Sequence, residues 1–511
     1  MGQSNRSFPK SSEQVECFIP TVDKYPSLNL IRRLCESLDQ EGINYCHWKS
    51  NAALDRSAQG KNDLDLLVKR SDSTRFTEIL SRYGFKETFK PAALNLPGVV
   101  NFYGYDHETE KFVHVHVHYQ LVMGHDMNKN VHLPIEEPYL ATAFRNGLFK
   151  VPAPEFELIL LAIRMVLKHS SWDNILTRQG SLSKSETQEL VYLQARSDRT
   201  QIRHLLEQYL PDIDMDLFDA CLRSIQPGCP VGYRIKTAFR LQNKLNAYMR
   251  YPQLIDLYLK FWRRLVAGLR RRISRYTPKA QFSGGGALIA IVGGDGAGKS
   301  TAVDELYTWL SGHFDVIKIH MGKPPWSLTT IAVRGMLKIG RSLGLYPFSR
   351  ALIEYTLDTN SITFPGYPWL IREVCVARDR YLTYIKARRF TAKGGIVLCD
   401  RFPLSQMQLM DGPQVERMSG AKQKNWFLKY LMKMEMKYYR PMLLPELLIV
   451  LKVHPETAVI RKANESEASV RARSSEIWEL DLRETPAHVI DANRSKTEVL
   501  SNLKALIWSE I

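Results

Sequence analysis

Three kinds of apolar spacing run along the chain, and each predicts a different element. Between Leu28 and Gln40, Leu30, Ile31, Leu34 and Leu38 recur at helical intervals, and Gly42 supplies a stop. Asp63-Leu64-Asp65-Leu66-Leu67-Val68 alternates and then becomes wholly apolar, as a strand does. Phe112 to Tyr119 alternates strictly, which places His114, His116 and His118 on one strand face and Val113, Val115 and Val117 on the other. Helical spacing returns over 154–170, 185–197, 199–210, 212–225 and 231–250, broken by Gly180-Ser181, Pro211 and Pro227-Gly228. These segments predict a helical bundle packed on the N-terminal unit.

The second half reads differently. Ala287 to Val292 is continuously apolar and runs into a glycine-rich turn, and strand-like runs follow at Val316–His320, Ile396–Asp400, Leu447–Val453 and His488–Asp491. Helical segments separate them, so the expected unit is a βα repeat with a five-stranded parallel sheet covered on both faces. The whole is then an α/β multidomain chain. Residues 1–20 form a flexible N-terminus, 21–150 an α+β domain, 151–275 a helical domain, 276–286 a linker with Pro278 and Gly284-Gly285-Gly286, and 287–511 the parallel-sheet domain.

The last helix before that linker changes the charge picture. Tyr258, Phe261, Trp262, Leu265, Leu269 and Ile273 form an apolar stripe beside Lys260, Arg263, Arg264 and Arg270-Arg271-Arg272. The stripe is expected to be buried between domains. The alternative is a basic amphipathic helix on an anionic membrane or nucleic acid. A formal net charge of +17 suits nucleic acid, a membrane surface or polyphosphate substrates alike. No apolar run approaches the ~18 residues of a membrane span, the N-terminal stretch lacks a hydrophobic signal core, and seven scattered cysteines form no CxxC pair. The expected location is the cytoplasm.

Gly293-Gly294-Asp295-Gly296-Ala297-Gly298-Lys299-Ser300-Thr301 carries the clearest chemistry. Gly293, four residues, then Gly298-Lys299-Ser300 is the spacing of a phosphate-binding loop. Its glycines let successive N–H groups face phosphate oxygens, the following helix adds a positive end, Lys299 reaches the β/γ-phosphates and Ser300 offers a hydroxyl to Mg²⁺.

In the first half, Asp63 and Asp65 lie two apart, so both carboxylates project from one strand face and could hold one Mg²⁺. Lys49-Ser50 followed by Asp63-Leu64-Asp65 resembles the polymerase-β-like nucleotidyltransferase superfamily, with Lys49 where that family has glycine. The resemblance covers about residues 25–200 and implies a nucleotidyl-transfer site with Asp63, Asp65 and, on the neighbouring strand, His116 at the metal. Histidines stand where a third acid is usual. They suit a transition metal such as Zn²⁺ or Mn²⁺, or are simply a polar sheet face.

The second half resembles the thymidylate kinase-like superfamily over 287–511. The loop at 293–301, Asp400-Arg401-Phe402 followed by Ser405, Pro455-Glu456 through Arg461 with Arg471 and Arg473, and Val489-Ile490-Asp491-Ala492 carry it in order. The resemblance implies ATP and Mg²⁺ as cofactors, with Lys299 on the donor and Ser300 and Asp400 at the metal. It places Arg401 on an acceptor phosphate, Arg461, Arg471 and Arg473 in a lid, and Asp491 on the adenine side. Gln408-Leu409-Met410 and His320 to Trp326 depart from the family at acceptor-side positions, and 329–380 carries Tyr346, Phe348, Phe364, Tyr367 and Trp369 in an insertion. The expected function is an ATP-dependent phosphotransferase acting on a phosphate-bearing small molecule, a nucleoside monophosphate among them, in a bifunctional chain. The alternatives are nucleotidyl transfer by the first half, or an ATP-regulated protein that binds membrane or nucleic acid.

Overall fold

In the computed structural model of the protein the described residues are 26–90, 96, 98–125, 128–169, 182–274, 279–344, 364, 366–404, 406–407, 412–419, 425–483 and 485–511. The expected flexible N-terminus, Ser405, residues 408–410, Tyr346 and Phe348 lie outside them.

The alternating strands of the first half form one sheet. Its members are β1 (Tyr45–His47), β2 (Leu64–Val68), β3 (Lys86–Phe89), β4 (Val99–Asp106) and β5 (Lys111–His118), in the order β1-β2-β5-β4-β3. β2 and β5 run parallel, with Asp65 opposite His116. Strict alternation sends Val113, Val115 and Val117 into a core with Ile31, Leu34 and Leu38 of the helix Asn29–Gln40 and Phe76 and Ile79 of the helix Ser73–Arg82. The three histidines are left on the opposite face. Two hairpins follow, β6 (Leu121–His125) with β7 (Asn128–Leu133) and β8 (Phe144–Asn146) with β9 (Phe149–Val151).

The helix Pro154–His169 is buried over most of its circumference, which explains why its sequence is apolar almost all round. Helices Lys184–Gln194, Arg199–Tyr209, Met215–Ser224 and Val231–Lys244 pack around it. The helix Gln253–Ser274 corrects an expectation: its apolar stripe is not buried between domains, since Tyr258, Phe261, Trp262, Leu265 and Leu269 are all exposed. The physical reason is that its polar residues take the inward contacts.

A second difference lies in the expected linker. Gln281–Phe282 is a strand, β10, paired antiparallel with β3 and extending the first sheet to six strands. Phe282 N donates to Gly394 O at 2.9 Å, and its buried ring stacks near Phe314 at 4.9 Å. An aromatic residue with both ladder and core contacts does not behave as a tether.

The second half is a parallel sheet of β11 (Leu288–Gly293), β12 (Val316–His320), β13 (Ile396–Asp400), β14 (Leu447–Lys452) and β15 (Ala487–Asp491), in the order β12-β13-β11-β14-β15. β11, β13 and most of β14 are buried on both faces, as their unbroken apolar runs require. The two halves share one apolar cluster, in which Tyr103, Tyr105 and Phe112 of the first sheet meet Phe314 and Trp508 of the second half. Phe112 stacks on Trp309 at 4.9 Å and meets Trp508 edge-on at 5.1 Å.

Candidate functional site

β11 is the central strand of the parallel sheet, and the chain leaves it to one side for β12 and returns past it to reach β14. Strand order reverses there, which opens a crevice at the carboxyl ends of β11 and β13. The glycine loop occupies that crevice. Gly296 has φ +76°, and a Cβ there would come within 2.9 Å of Ala458 O, so only glycine fits. Gly298, at φ +83°, is the N-cap of the helix Lys299–Ser311. Lys299 is buried and its Nζ donates to Gly294 O at 2.6 Å, which curls the side chain across the loop. Thr301 is exposed in the first turn of that helix, and Ala297 is buried.

β13 delivers Asp400 to the same crevice. The Ser300 hydroxyl donates to Asp400 Oδ2 at 2.6 Å, while Asp400 Oδ1 is buried with no hydrogen-bond partner among the described residues. A hydroxyl and a carboxylate with a spare buried oxygen are hard donors that fit Mg²⁺. Arg401 follows with φ +67°, a left-handed conformation unusual for a side-chain-bearing residue. Strain of this kind costs of order 1–3 kcal/mol and gathers at functional positions. It aims the guanidinium at Asp295 Oδ1, 3.3 Å away.

Asp295 is held from a second side by Arg473, whose guanidinium lies 2.9 Å from Oδ2. Burial works to raise the Asp295 pKa, but the Arg473 hydrogen bond and the charges of Lys299, Arg473 and Arg401 outweigh it and hold the carboxyl below its usual range. Ser474, which the sequence did not single out, adds a bond from its hydroxyl to Asp295 O at 3.2 Å. Arg461, at the end of the helix Pro455–Arg461, donates to Gly296 O at 3.3 Å and to Ala492 O at 3.0 Å. It thereby ties the loop to the turn after β15, where Asp491 accepts from Asn493 N at 2.9 Å and Nδ2 at 2.7 Å. Arg471 is not brought to the loop: it pairs with Glu456 and, at 2.7 Å, with Glu467.

The long helix beside β12 and β13 holds buried charged residues that sequence reasoning missed. Arg380, buried in the long helix Tyr367–Thr391, donates to Met321 O at 2.9 Å and to the Tyr439 hydroxyl at 2.5 Å. Nearby Glu435 accepts from Gln414 N and Val415 N, both at 2.9 Å, and burial pushes its carboxyl up to about 7. The buried face that carries Arg380 also includes Glu373, Asp379 and Thr383, so no clean apolar period marks it in the sequence.

The first half has a second concavity, of about 840 Å³. Among the described residues its lining includes six cations, Lys49, Arg56, Lys129, Arg164, Lys168 and Lys184, against the carboxylates Asp65, Glu186 and Glu189. Asp65 lies 2.9 Å from Lys49 Nζ and 3.0 Å from His116 Nδ1. Burial opposes its ionisation, yet Lys49 and His116 hold its carboxyl well below the usual range. His118 is fully buried with neither ring nitrogen partnered among the described residues, and burial, with His116, Lys49 and Lys129 adding, keeps it neutral. Ligand atoms of Asp65, His116 and His118 lie within 4.8 Å of one another. Asp63 stands outside this group and pairs with His114 at 3.0 Å. Ser50, at φ +63°, donates its N–H to Glu189 at 2.9 Å, which fixes the Lys49-Ser50 turn.

With this geometry in view, no family model matches the chain. Two Escherichia coli K12 proteins are similar to it over 43% of its length: the uncharacterized ATP-binding protein YghR, 27% identical with 86% of its own length covered, and the uncharacterized ATP-binding protein YghS, 26% identical with 92% covered. Among solved structures, deoxyadenosine kinase from M. mycoides with bound dATP aligns over 43% of this chain and 98% of its own at 15% identity and a TM-score of 0.27.

Proposed function

We propose that the second half is an ATP-dependent phosphotransferase that moves the γ-phosphate to a phosphate-bearing small molecule, nucleoside monophosphates among the candidates. The observation that carries this reading is the convergence, in one crevice, of the glycine loop with Lys299, the Ser300–Asp400 pair and the Arg401–Asp295–Arg473 cluster. The similarity to two proteins described as ATP-binding supports the donor side of it.

In this reading the loop N–H groups and the helix end at Lys299 hold the β- and γ-phosphates. The bond from the γ-phosphorus to the ADP oxygen breaks as one forms to an acceptor phosphate oxygen, and negative charge spreads over the equatorial oxygens. Arg473 and Arg461 stand at the loop to meet that charge, and Arg401, held beside the loop by Asp295, would take the acceptor phosphate bidentately. Arg471, held by Glu456 and Glu467, belongs to the support of the lid. Ser300 and Asp400 would hold Mg²⁺, which neutralises phosphate charge when bound. The test is transfer of label from γ-labelled ATP to a panel of nucleoside and sugar phosphates. ATP binding without transfer to any of them overturns the assignment.

A second reading rests on the cationic cavity at Asp65. We infer that it takes a nucleoside triphosphate and transfers the nucleotidyl group to a protein, RNA or metabolite, the α-phosphorus bonding to an acceptor oxygen as its bond to the β-phosphate oxygen breaks and pyrophosphate leaves, with Asp65, His116 and His118 as a donor set suited to Zn²⁺ or Mn²⁺. Replacing Asp63 and Asp65 by Asn should abolish transfer from α-labelled NTP, and undiminished labelling refutes it.

A further inference from the structure

The helix Gln253–Ser274 is mounted with its polar side toward the protein. Asp256 accepts from Asn128 Nδ2 at 2.6 Å and pairs with Lys260 at 2.5 Å. Arg263 donates to Asn128 Oδ1 at 3.3 Å, and Arg264 meets His125 Nε2 at 2.9 Å. These bonds dock the helix on the β6–β7 hairpin by polar contacts. The apolar side is turned outward: Leu254 is 82% exposed, Phe261 65%, Tyr258 62% and Trp262 50%, with Ile255, Leu257, Leu265 and Leu269 also exposed. At ~100° per residue these positions cover roughly 160° of the helix circumference, a broad face rather than scattered exceptions.

We propose that this face is a membrane-docking surface that lies along the interface of an anionic lipid bilayer. Large apolar residues exposed in a continuous patch mark a place of interaction. The choice of occupant follows from charge. Residues 253–275 carry seven Lys or Arg against one carboxylate; Lys260, Arg263 and Arg264 are turned to the protein, while Arg272 is exposed and, at ~100° per residue, falls in line with Leu254 on the apolar face, in a chain of net charge +17. A second copy would bury the apolar face but bring like charges together. Nucleic acid would answer the charge but leave the apolar face in water. Anionic headgroups above an acyl boundary answer both, and aromatic residues at that depth place an apolar body below and a polar edge in the headgroups. No helix among the described residues is long and apolar enough to cross a membrane, so the helix lies along the surface.

The test is flotation of the full chain with vesicles of phosphatidylcholine alone and of phosphatidylcholine with phosphatidylglycerol, at low and high salt. The intact chain should float with the anionic vesicles and detach as salt rises, since exposed charges are screened. The double variant Phe261→Ser/Trp262→Ser should weaken that binding by about tenfold or more. Its melting temperature should be unchanged, because both side chains face outward. Arg272→Glu, on an exposed position of the same helix, should also weaken binding. Failure of the intact chain to bind anionic vesicles overturns the proposal, as does binding that the serine variant leaves intact. A concentration-dependent dimer abolished by the serine variant, with no vesicle binding, would assign the face to a second copy instead.

Discussion

The Ser300 hydroxyl donates to Asp400 Oδ2 at 2.6 Å, joining the start of the helix after the glycine loop to the last residue of β13. A hundred residues of chain separate the two, and the parallel register of β11 with β13 brings them together, with Ile291 opposite Asp400. Ser300→Ala and Asp400→Asn should each lower Mg²⁺-dependent turnover by about 10–100-fold, the usual loss when the support of a metal site is removed. Turnover measured across a Mg²⁺ titration checks this. Variants that saturate at the same Mg²⁺ concentration and rate as the parent would contradict it.

Arg461, Arg471 and Arg473 should separate into two groups. Arg473 and Arg461 contact the loop, so Arg473→Ala and Arg461→Ala should each reduce kcat by roughly 100-fold, in line with losing a group that meets transition-state charge. Arg471 sits in exposed pairs with Glu456 and Glu467. Exposed pairs are worth about 0–1 kcal/mol, so Arg471→Ala should change kcat by less than about fivefold. Equal losses at the three positions would mean that Arg471 reaches the donor after all.

Glu157 gives a pH dependence with a definite sign. It is buried in the helix Pro154–His169, accepts from Asn51 N at 3.3 Å and Nδ2 at 2.8 Å, and burial pushes its carboxyl up to about 8 from an ordinary value of 4.5. Between those values the folded state holds a proton that the unfolded state has released. Stability therefore falls as pH rises through this window, by up to about 1.4 kcal/mol per pH unit for one proton. Glu157→Gln should flatten the decline in melting temperature between pH 6 and pH 8, whereas a slope identical to the parent's would refute the assignment.

Much of this arrangement can be read directly from residue patterns. Alternation at Phe112–Tyr119 places the histidines on one face of β5, and unbroken apolar runs locate β11, β13 and β14, because those strands are covered on both sides. The glycine spacing likewise marks the phosphate loop, since few other geometries need glycine at 296 and 298. What local pattern cannot carry is partnership. Nothing around Phe282 indicates that it pairs with β3, because a two-residue strand has no period to detect. The apolar stripe at Tyr258–Leu269 looks the same whether it faces a core or water, and its direction is decided by Asn128 and His125, far away in sequence. Arg473 and Ser474 meet Asp295 only through packing of the helix Glu467–Glu479 on the loop.

The shared aromatic cluster predicts mechanical dependence between the halves. Phe112 of β5 packs on Trp309, Phe314 and Trp508. Phe112→Ala should cost about 3–5 kcal/mol, the usual range for a buried aromatic, and should lower the stability of both halves together. Equilibrium denaturation followed by hydrogen exchange on each half checks this, and loss confined to the first half would show that the cluster does not couple them.

The central claim is that the glycine loop supports phosphoryl transfer rather than nucleotide binding alone. Incubation of the full chain with γ-labelled ATP, Mg²⁺ and a panel of nucleoside and sugar phosphates tests it most directly, with Lys299→Ala as the paired control. The account predicts a labelled product from a phosphate-bearing acceptor, reduced at least about 100-fold in Lys299→Ala. ATP bound by the parent chain with no label on any acceptor, or label undiminished in Lys299→Ala, would contradict it.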